Sequence, residues 1–205
     1  MLEASLRALK AAALIFILLS ALTVQLAAQD VETDWDDFTY DIYARGDQSF
    51  LVNLGVMFPT LFVNDGKINN SGWNPVGGSG SLMFNYYLHP YFFIGGEVGI
   101  MFANSIAGNT VFLIPLGIRL GTQFIVWRFE FPIALSFGAS WHNFLNEGYF
   151  GIYGKMSLSA LFRATPQWAF GLTSSWYFMP EWTGDSKKDV MGNFVDLTLS
   201  ARYHF

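Results

Sequence analysis

Residues that could perform chemistry in this chain are few and widely spaced. The 205 residues include three histidines, His89, His142 and His204, and no cysteine. No two histidines have the spacing of zinc ligands, and the lack of cysteine excludes a thiolate site, a cysteine nucleophile and a disulfide. We therefore expect no metal site and no cofactor.

One serine, one histidine and one carboxylate stand close together in the sequence. Ser140-Trp141-His142 is followed by Glu147, and these are side-chain types that a nucleophilic hydrolase combines. Catalysis needs those groups to converge in space, whereas a hydrogen bond at the base of a loop explains the same residues without catalysis. We favour the hydrogen bond and expect no enzyme.

Charged residues make up 13% of the chain, and seven of them occupy alternate positions of predicted strands that are otherwise held mostly by small residues. In a predicted strand they lie on the face opposite to the large apolar residues. An unpaired charge in an interior is costly, so we expect these acids and bases to pair as a lumen charge network. The predicted network consists of Glu97, Arg119, Arg128, Glu130, Lys155, Asp196 and Arg202.

The network permits two interpretations. Arg128 and Glu130 are two residues apart in one predicted strand, so both are expected to project to the same side. A paired network would close the interior as a structural plug, whereas an exchange of partners would open a small pore as a gate. Eight strands barely leave a channel, which favours the plug.

The elements that must position these residues are strands. After Gln48, eight stretches alternate apolar with small or polar residues, and none shows helical periodicity. The stretches cover residues 50–58, 82–88, 92–100, 112–120, 125–139, 150–162, 168–178 and 195–205. Short turns are expected at 89–91, 121–123 and 163–167, and long loops at 59–76, 103–109, 142–149 and 180–193. This predicts an all-β fold: an eight-stranded antiparallel up-and-down transmembrane β-barrel with short periplasmic turns and four longer extracellular loops.

Alternation alone does not decide whether the apolar face points into a core or into lipid. A secreted soluble β-domain would place that face inside. The chain has only five lysines, and its polar face is mostly Gly, Ser and Ala, which suits a crowded lumen. Aromatic residues fall toward the strand ends, as in the two interfacial girdles of membrane barrels. We therefore place the apolar face outside, in lipid.

The first 48 residues differ from the rest. Residues 1–28 contain Arg7, Lys10 and an apolar run of fourteen residues, a pattern that predicts a cleaved signal peptide and not a membrane anchor. Residues 29–48 hold seven acids against Arg45 and are predicted to form a solvated acidic N-terminal arm. Residues 49–205 are assigned to the barrel. No basic patch indicates a nucleic-acid partner.

The sequence at 197–205 resembles the C-terminal signal of bacterial outer-membrane barrels. In that family an aromatic last residue and an aromatic two positions earlier, here Phe205 and Tyr203, are read by the barrel assembly machinery. In length, strand number and loop alternation, residues 49–205 resemble the small eight-stranded group that includes OmpW, OmpX and the membrane domain of OmpA. The resemblance implies a Gram-negative-type outer membrane, contact with its lipid, and extracellular loops available for a ligand.

The resemblance leaves two functions open. One is a structural or surface-binding barrel whose narrow lumen is plugged by charges. The other is a narrow, porin-like channel for small or hydrophobic solutes, as in OmpW. Some small outer-membrane barrels modify lipid acyl chains, and one deacylase type carries a His-x-Ser pair. Here Ser140 precedes His142, so the chain departs from that pattern.

Overall fold

The computed structural model describes residues 43–64, 67–68, 76–104, 110–144, 147–181 and 190–205. The predicted signal peptide at 1–28 and residues 29–42 of the predicted arm lie outside these ranges, as do central parts of the predicted loops. No helix within the described ranges is long and apolar enough to cross a membrane.

Long strands account for nearly all of the described residues. They are β1 (Gln48–Asn64), β2 (Gly77–His89), β3 (Phe92–Asn104), β4 (Thr110–Val126), β5 (Phe129–Phe144), β6 (Glu147–Arg163), β7 (Trp168–Glu181) and β8 (Val190–His204). The two-residue strand Lys67–Ile68 pairs with the end of β1.

The strands form one closed barrel. Sequential strands pair antiparallel, and β1 also pairs with β8, so the sheet returns on itself. The closing register sets Ser49 opposite His204 and Val56 opposite Leu197. Closure pairs the strands that would otherwise form exposed sheet edges. The predicted eight-stranded up-and-down barrel is confirmed.

Side chains alternate between the interior and the exterior of the barrel. In β6, Tyr153 and Lys155 are buried, whereas Ile152 and Met156 are 51% and 49% exposed. The exterior is therefore apolar and much of the interior polar, the reverse of a soluble β-protein. Such an exterior suits lipid, as the sequence predicts.

Aromatic side chains gather on the exterior near the strand ends. Trp168 packs edge-on against Tyr203 with ring centroids 4.9 Å apart, and Tyr203 packs against Phe205 at 5.0 Å. Near the opposite end, the rings of Phe102 and Phe112 lie 6.3 Å apart. Rings at these levels match the interfacial girdles of membrane barrels.

The two ends of the barrel differ. The turn end carries residues 90–91, 127–128 and 164–167, and the loop end carries residues 65–76, 105–109, 145–146 and 182–189. At the loop end, residues 59–64 continue β1, and residues 142–144 of β5 pair with residues 147–149 of β6 within the predicted loop at 142–149. The expectation of a long loop at 142–149 is wrong. Polar residues and glycine suggested a loop there, but β5 and β6 remain hydrogen-bonded to each other through these polar positions.

The turn between β4 and β5 also differs from the prediction. Residues 121–123 lie inside β4, and the chain reverses at residues 127–128. Trp127 has a φ of 55°, a left-handed conformation typical of a two-residue hairpin turn. Residues 121–123 have turn-forming types, but burial and hydrogen bonding of Gln123 keep them in the strand. Ile125, predicted to face outward, consequently packs against the interior.

Candidate functional site

Two groups of charged side chains occupy the barrel interior. The turn-end cluster contains Tyr43, Glu130, Arg163, Arg202 and His204. The middle cluster contains Glu97, Ser136, Tyr153 and Lys155. Neither cluster is continuous in sequence, because the side chains come from different strands of the closed sheet.

Glu130 is the centre of the turn-end cluster. Arg202 on β8 places Nη1 2.8 Å from Glu130 Oε2, and Arg163 at the end of β6 places Nη2 2.6 Å from Oε1. The Glu130 and Arg202 side chains are fully buried. Charge-assisted pairs of this kind are short and strong when geometry is good. One carboxylate therefore links β5, β6 and β8 across the lumen.

Neutral polar groups connect this pair to the neighbouring strands. Arg202 Nη1 also donates to Gln123 Oε1 at 3.3 Å, and the Tyr87 hydroxyl donates to the same oxygen at 3.0 Å. The amide nitrogen of Gln123 donates to the carbonyl of Pro90 at 3.2 Å. The hydrogen bonds therefore extend from Glu130 to β2, β4 and the first tight turn.

In the middle cluster, Glu97 on β3 accepts three hydrogen bonds. The donors are the Tyr153 hydroxyl at 2.9 Å, the Ser136 hydroxyl at 3.0 Å and Lys155 Nζ at 3.1 Å. Ser136 lies directly opposite Lys155 in the β5–β6 ladder. Both oxygens of the buried carboxylate are thus satisfied, as burial of a charge requires.

A glycine makes room for this arrangement. A Cβ atom on Gly117 would collide with the Tyr153 hydroxyl and with the backbone carbonyl of Phe137. Because Gly117 has no side chain, Tyr153 can pass close to β4 and reach Glu97.

Arg119 and Asp196 lie in the interior without forming ion pairs with the other described side chains. Arg119 donates to the sulfur of Met83, and its guanidinium carbon lies 5.4 Å from the Phe93 ring centroid. Asp196 accepts a hydrogen bond from Ser79 at 3.0 Å. Four of the seven predicted interior charges thus form two separate ion pairs, Glu130 with Arg202 and Glu97 with Lys155, and not one continuous chain of ion pairs.

Arg128 does not share a strand face with Glu130, which corrects the prediction. It belongs to the two-residue turn, where its carbonyl accepts the N–H of Arg163 at 2.8 Å. Its guanidinium carbon lies 5.8 Å from the Trp127 ring centroid and 5.9 Å from that of Phe162. The prediction failed because the turn was placed six residues too early. Arg163, assigned to a turn, is the additional base that pairs with Glu130.

Tyr43 enters the turn-end cluster from the N-terminal segment. It is only 4% exposed, stacks on Tyr87 with ring centroids 4.1 Å apart, and donates to Glu130 Oε2 at 2.9 Å. Burial raises the pKa of Tyr43, so the phenol keeps its proton and acts as a donor. The predicted solvated arm at 29–48 is therefore wrong at its C-terminal end. The prediction rested on the acidic residues of the segment and did not consider that the barrel could bury one of its aromatic residues, Tyr43.

The interior near the loop end is apolar. Its buried side chains are Met57, Met101, Ala103, Val111, Leu113, Tyr153, Tyr177, Met179 and Phe194. The alternating pattern predicted mostly small and polar side chains in the lumen, so this cluster of larger apolar side chains was not expected. Methionine adapts its shape readily and fills irregular gaps between strands.

The serine and histidine considered for catalysis share the inner side of β5. Ser140 is fully buried and His142 half-buried. Residues two apart in a strand are about 6–7 Å apart along it. This spacing does not bring the Ser140 hydroxyl into a hydrogen bond with the His142 ring, as a nucleophile and its base require. No three histidines, aspartates or glutamates in the described residues are grouped to hold a metal ion.

Comparisons with known proteins match most of this chain. One protein-family model matches residues 28–203. An uncharacterized protein of Treponema pallidum (strain Nichols) is 22% identical over 129 residues, which are 63% of this chain and 59% of that relative's length. Among solved structures, Neisserial surface protein A (NspA) aligns with a TM-score of 0.54 and 9% identity over 78% of this chain and 97% of its own. The outer membrane protein OprG from Pseudomonas aeruginosa aligns with a TM-score of 0.46 and 10% identity, covering 80% and 97%.

Proposed function

We propose that the chain, which belongs to the family matched over residues 28–203 and has the fold of small eight-stranded outer-membrane barrels, is a closed scaffold that displays its loop end on the cell surface. In this proposal the signal peptide at 1–28 directs export and the assembly machinery inserts the barrel. Outer-membrane lipid surrounds the apolar exterior. The chain has no catalytic role.

The observation that supports a closed scaffold is the burial of side chains across the interior. Glu130 and Arg202 near the turn end, and Met57 and Met101 near the loop end, have essentially no exposed surface. An eight-stranded barrel has an interior just wide enough for side chains. Ion pairs held by several strands resist opening, because separating them leaves buried charges without partners.

Display at the loop end is supported by the difference in connection length between the two ends of the barrel. In outer-membrane barrels the short turns face the periplasm and the longer connections face outside. The candidate ligand-binding segments are therefore those at 59–76, 103–109, 142–149 and 180–193, of which 142–149 contributes little loop. NspA is described as a surface protein, and this role is the one we transfer.

A narrow channel for hydrophobic solutes is the second candidate function. It is favoured by the apolar side chains of the loop-end interior, where Met57, Met101 and Met179 lie together. A small apolar molecule could displace flexible methionines. It would still meet the charged turn-end cluster before reaching the periplasm. Vesicles containing the barrel should therefore take up the fluorescent hydrophobe N-phenyl-1-naphthylamine no faster than empty vesicles, and faster uptake would favour the channel.

Surface display can be tested with single cysteines, because the chain contains none of its own. Val76 is 49% exposed at the loop end, and Gln167 is exposed at the turn end. A membrane-impermeant maleimide should label Val76→Cys on intact cells and should label Gln167→Cys only after the outer membrane is disrupted. Labelling with the opposite pattern, or labelling of neither variant on intact cells, would contradict display of the loop end.

A further inference from the structure

Residues 43–47 form a hook that carries one side chain into the barrel. The Gly46 N–H donates to the Tyr87 carbonyl at 2.9 Å, and the Tyr87 N–H donates to the Asp47 carbonyl at 2.9 Å. The Ala44 N–H donates to Asp47 Oδ2 at 2.7 Å. Gly46 has a φ of 105°, which a residue with a side chain rarely adopts. These bonds fix the hook against β2 and direct Tyr43 inward.

The ring of Tyr43 lies against aromatic and cationic groups. It stacks on Tyr87 at a centroid distance of 4.1 Å, and the Arg163 guanidinium carbon lies 4.9 Å from its centroid. The His204 ring is tilted beside it at 5.1 Å. Stacking and cation–π contacts both favour a flat, electron-rich ring at this position.

The hydroxyl of Tyr43 meets groups that complete its hydrogen bonding. It donates to Glu130 Oε2 at 2.9 Å, and its oxygen lies 2.8 Å from His204 Nδ1. With the phenol proton directed to Glu130, His204 Nδ1 acts as the donor to the phenol oxygen. A ring without a hydroxyl would leave both groups without this partner.

A cleft at the turn end lies beside the ring. It has a volume of about 230 Å³, and its lining includes Tyr43, Gln48, Arg163, Gln167 and His204. The cleft leads from the turn-end surface to the same basic residues that contact the ring. A small molecule can therefore approach this position without passing through the lumen.

We infer that the turn end contains a binding site for a phenol ring and that the chain fills this site with its own Tyr43. The site has a stacking surface, a cation beside the ring, and a donor and an acceptor for the hydroxyl. The hook at 43–47 acts as a tethered ligand that closes the turn end. This inference concerns the turn end alone and does not depend on what the loop end displays.

The test removes the tethered ring and supplies a free one. Tyr43→Ala, in the full chain refolded into detergent micelles, should have a lower midpoint of thermal unfolding than wild type. p-Cresol, which is the tyrosine side chain without its backbone, should raise that midpoint saturably. Toluene has the same ring without the hydroxyl and should raise it less. Tyr91→Ala removes a tyrosine that is 46% exposed in a turn, and it should show no p-cresol response.

The inference is overturned if p-cresol leaves the midpoint of Tyr43→Ala unchanged, or if toluene or the Tyr91→Ala control gives an equal response. If Tyr43→Ala does not refold alone, the same comparison applies to refolding yield with p-cresol present. Tyr43→Phe retains the ring and should refold with a midpoint between those of wild type and Tyr43→Ala. A Tyr43→Phe midpoint equal to wild type would contradict the role of the hydroxyl.

Discussion

Arg202 and Glu130 lie 2.8 Å apart with both side chains fully buried, while Arg163 contacts the second oxygen of the same carboxylate. The arrangement makes Glu130 the shared counter-charge of two bases from different strands. Removing the acid takes the shared carboxylate from both buried bases, whereas removing the acid together with Arg202 leaves one such base, Arg163, whose side chain is 6% exposed.

We predict that Glu130→Ala lowers the free energy of unfolding by about 3–5 kcal/mol, because it leaves buried cations without their anion. Replacing both partners of a buried pair with apolar residues is milder than breaking it. The double variant Glu130→Leu with Arg202→Met should therefore be more stable than Glu130→Ala. Urea unfolding of vesicle-inserted protein, followed by tryptophan fluorescence, measures both. A double variant as unstable as the single would show that the charges do not depend on each other.

Two glycine substitutions test the packing around Glu97. Gly117→Ala should destabilise the barrel by about 1–3 kcal/mol, since the new methyl collides with Tyr153 and the Phe137 backbone. Gly154→Ala is the matched control, because no atom lies within 4 Å of its added Cβ. Its unfolding midpoint should equal or exceed that of wild type. Equal losses in the two variants would contradict the close approach of Tyr153.

Depth in the membrane can be read from two lysine substitutions on the exterior. Leu116 is 61% exposed in the middle of β4, and Val126 is 63% exposed at its turn-end terminus. Leu116→Lys should cost about 2–4 kcal/mol, and Val126→Lys about 0–1 kcal/mol, because the cost falls from bilayer centre to interface. Refolding into vesicles with urea titration measures the difference. Similar costs at both positions would be inconsistent with a barrel spanning lipid.

The aromatic pair at the end of β8 gives a prediction about assembly. Phe205 is 70% exposed and packs against Tyr203 on the exterior, so it contributes little to the interior. Phe205→Ala should therefore refold in detergent much like wild type but give less inserted barrel in cells, if the assembly machinery reads this residue. Heat-modifiable gel migration of both samples makes the comparison. Equal insertion in cells would refute recognition of Phe205.

The strand pattern was readable from the sequence because a barrel wall alternates strictly. Large apolar residues such as Leu116, Leu135 and Leu158 face lipid at every second position, and each is exposed. The same alternation placed Glu97, Lys155 and Arg202 inside. The strand number follows from this period of two, whereas the lipid-facing side also required the small residues of the polar face and the aromatic residues near the strand ends.

Pairing inside the barrel was not readable, because it depends on how strands align across the lumen. Glu130 pairs with Arg163 and Arg202, which are distant in sequence, and not with Arg128, which is two residues away. Placing the turn at 121–123 instead of 127–128 was sufficient to assign Arg128 to the wrong surroundings. Tyr43 was missed because the segment at 29–48 was interpreted from its many acidic residues. The position of its C-terminal end depends instead on the burial of one aromatic ring.

Single-channel recording in a planar bilayer tests the closed interior most directly. The refolded wild-type chain, shown to be inserted by heat-modifiable migration, should give no current steps above those of a protein-free bilayer. That result follows from the buried ion pairs of Glu130 and Glu97 and from the apolar side chains at the loop end. Discrete, reproducible current steps from wild type would show an open path through the lumen and would contradict the closed scaffold.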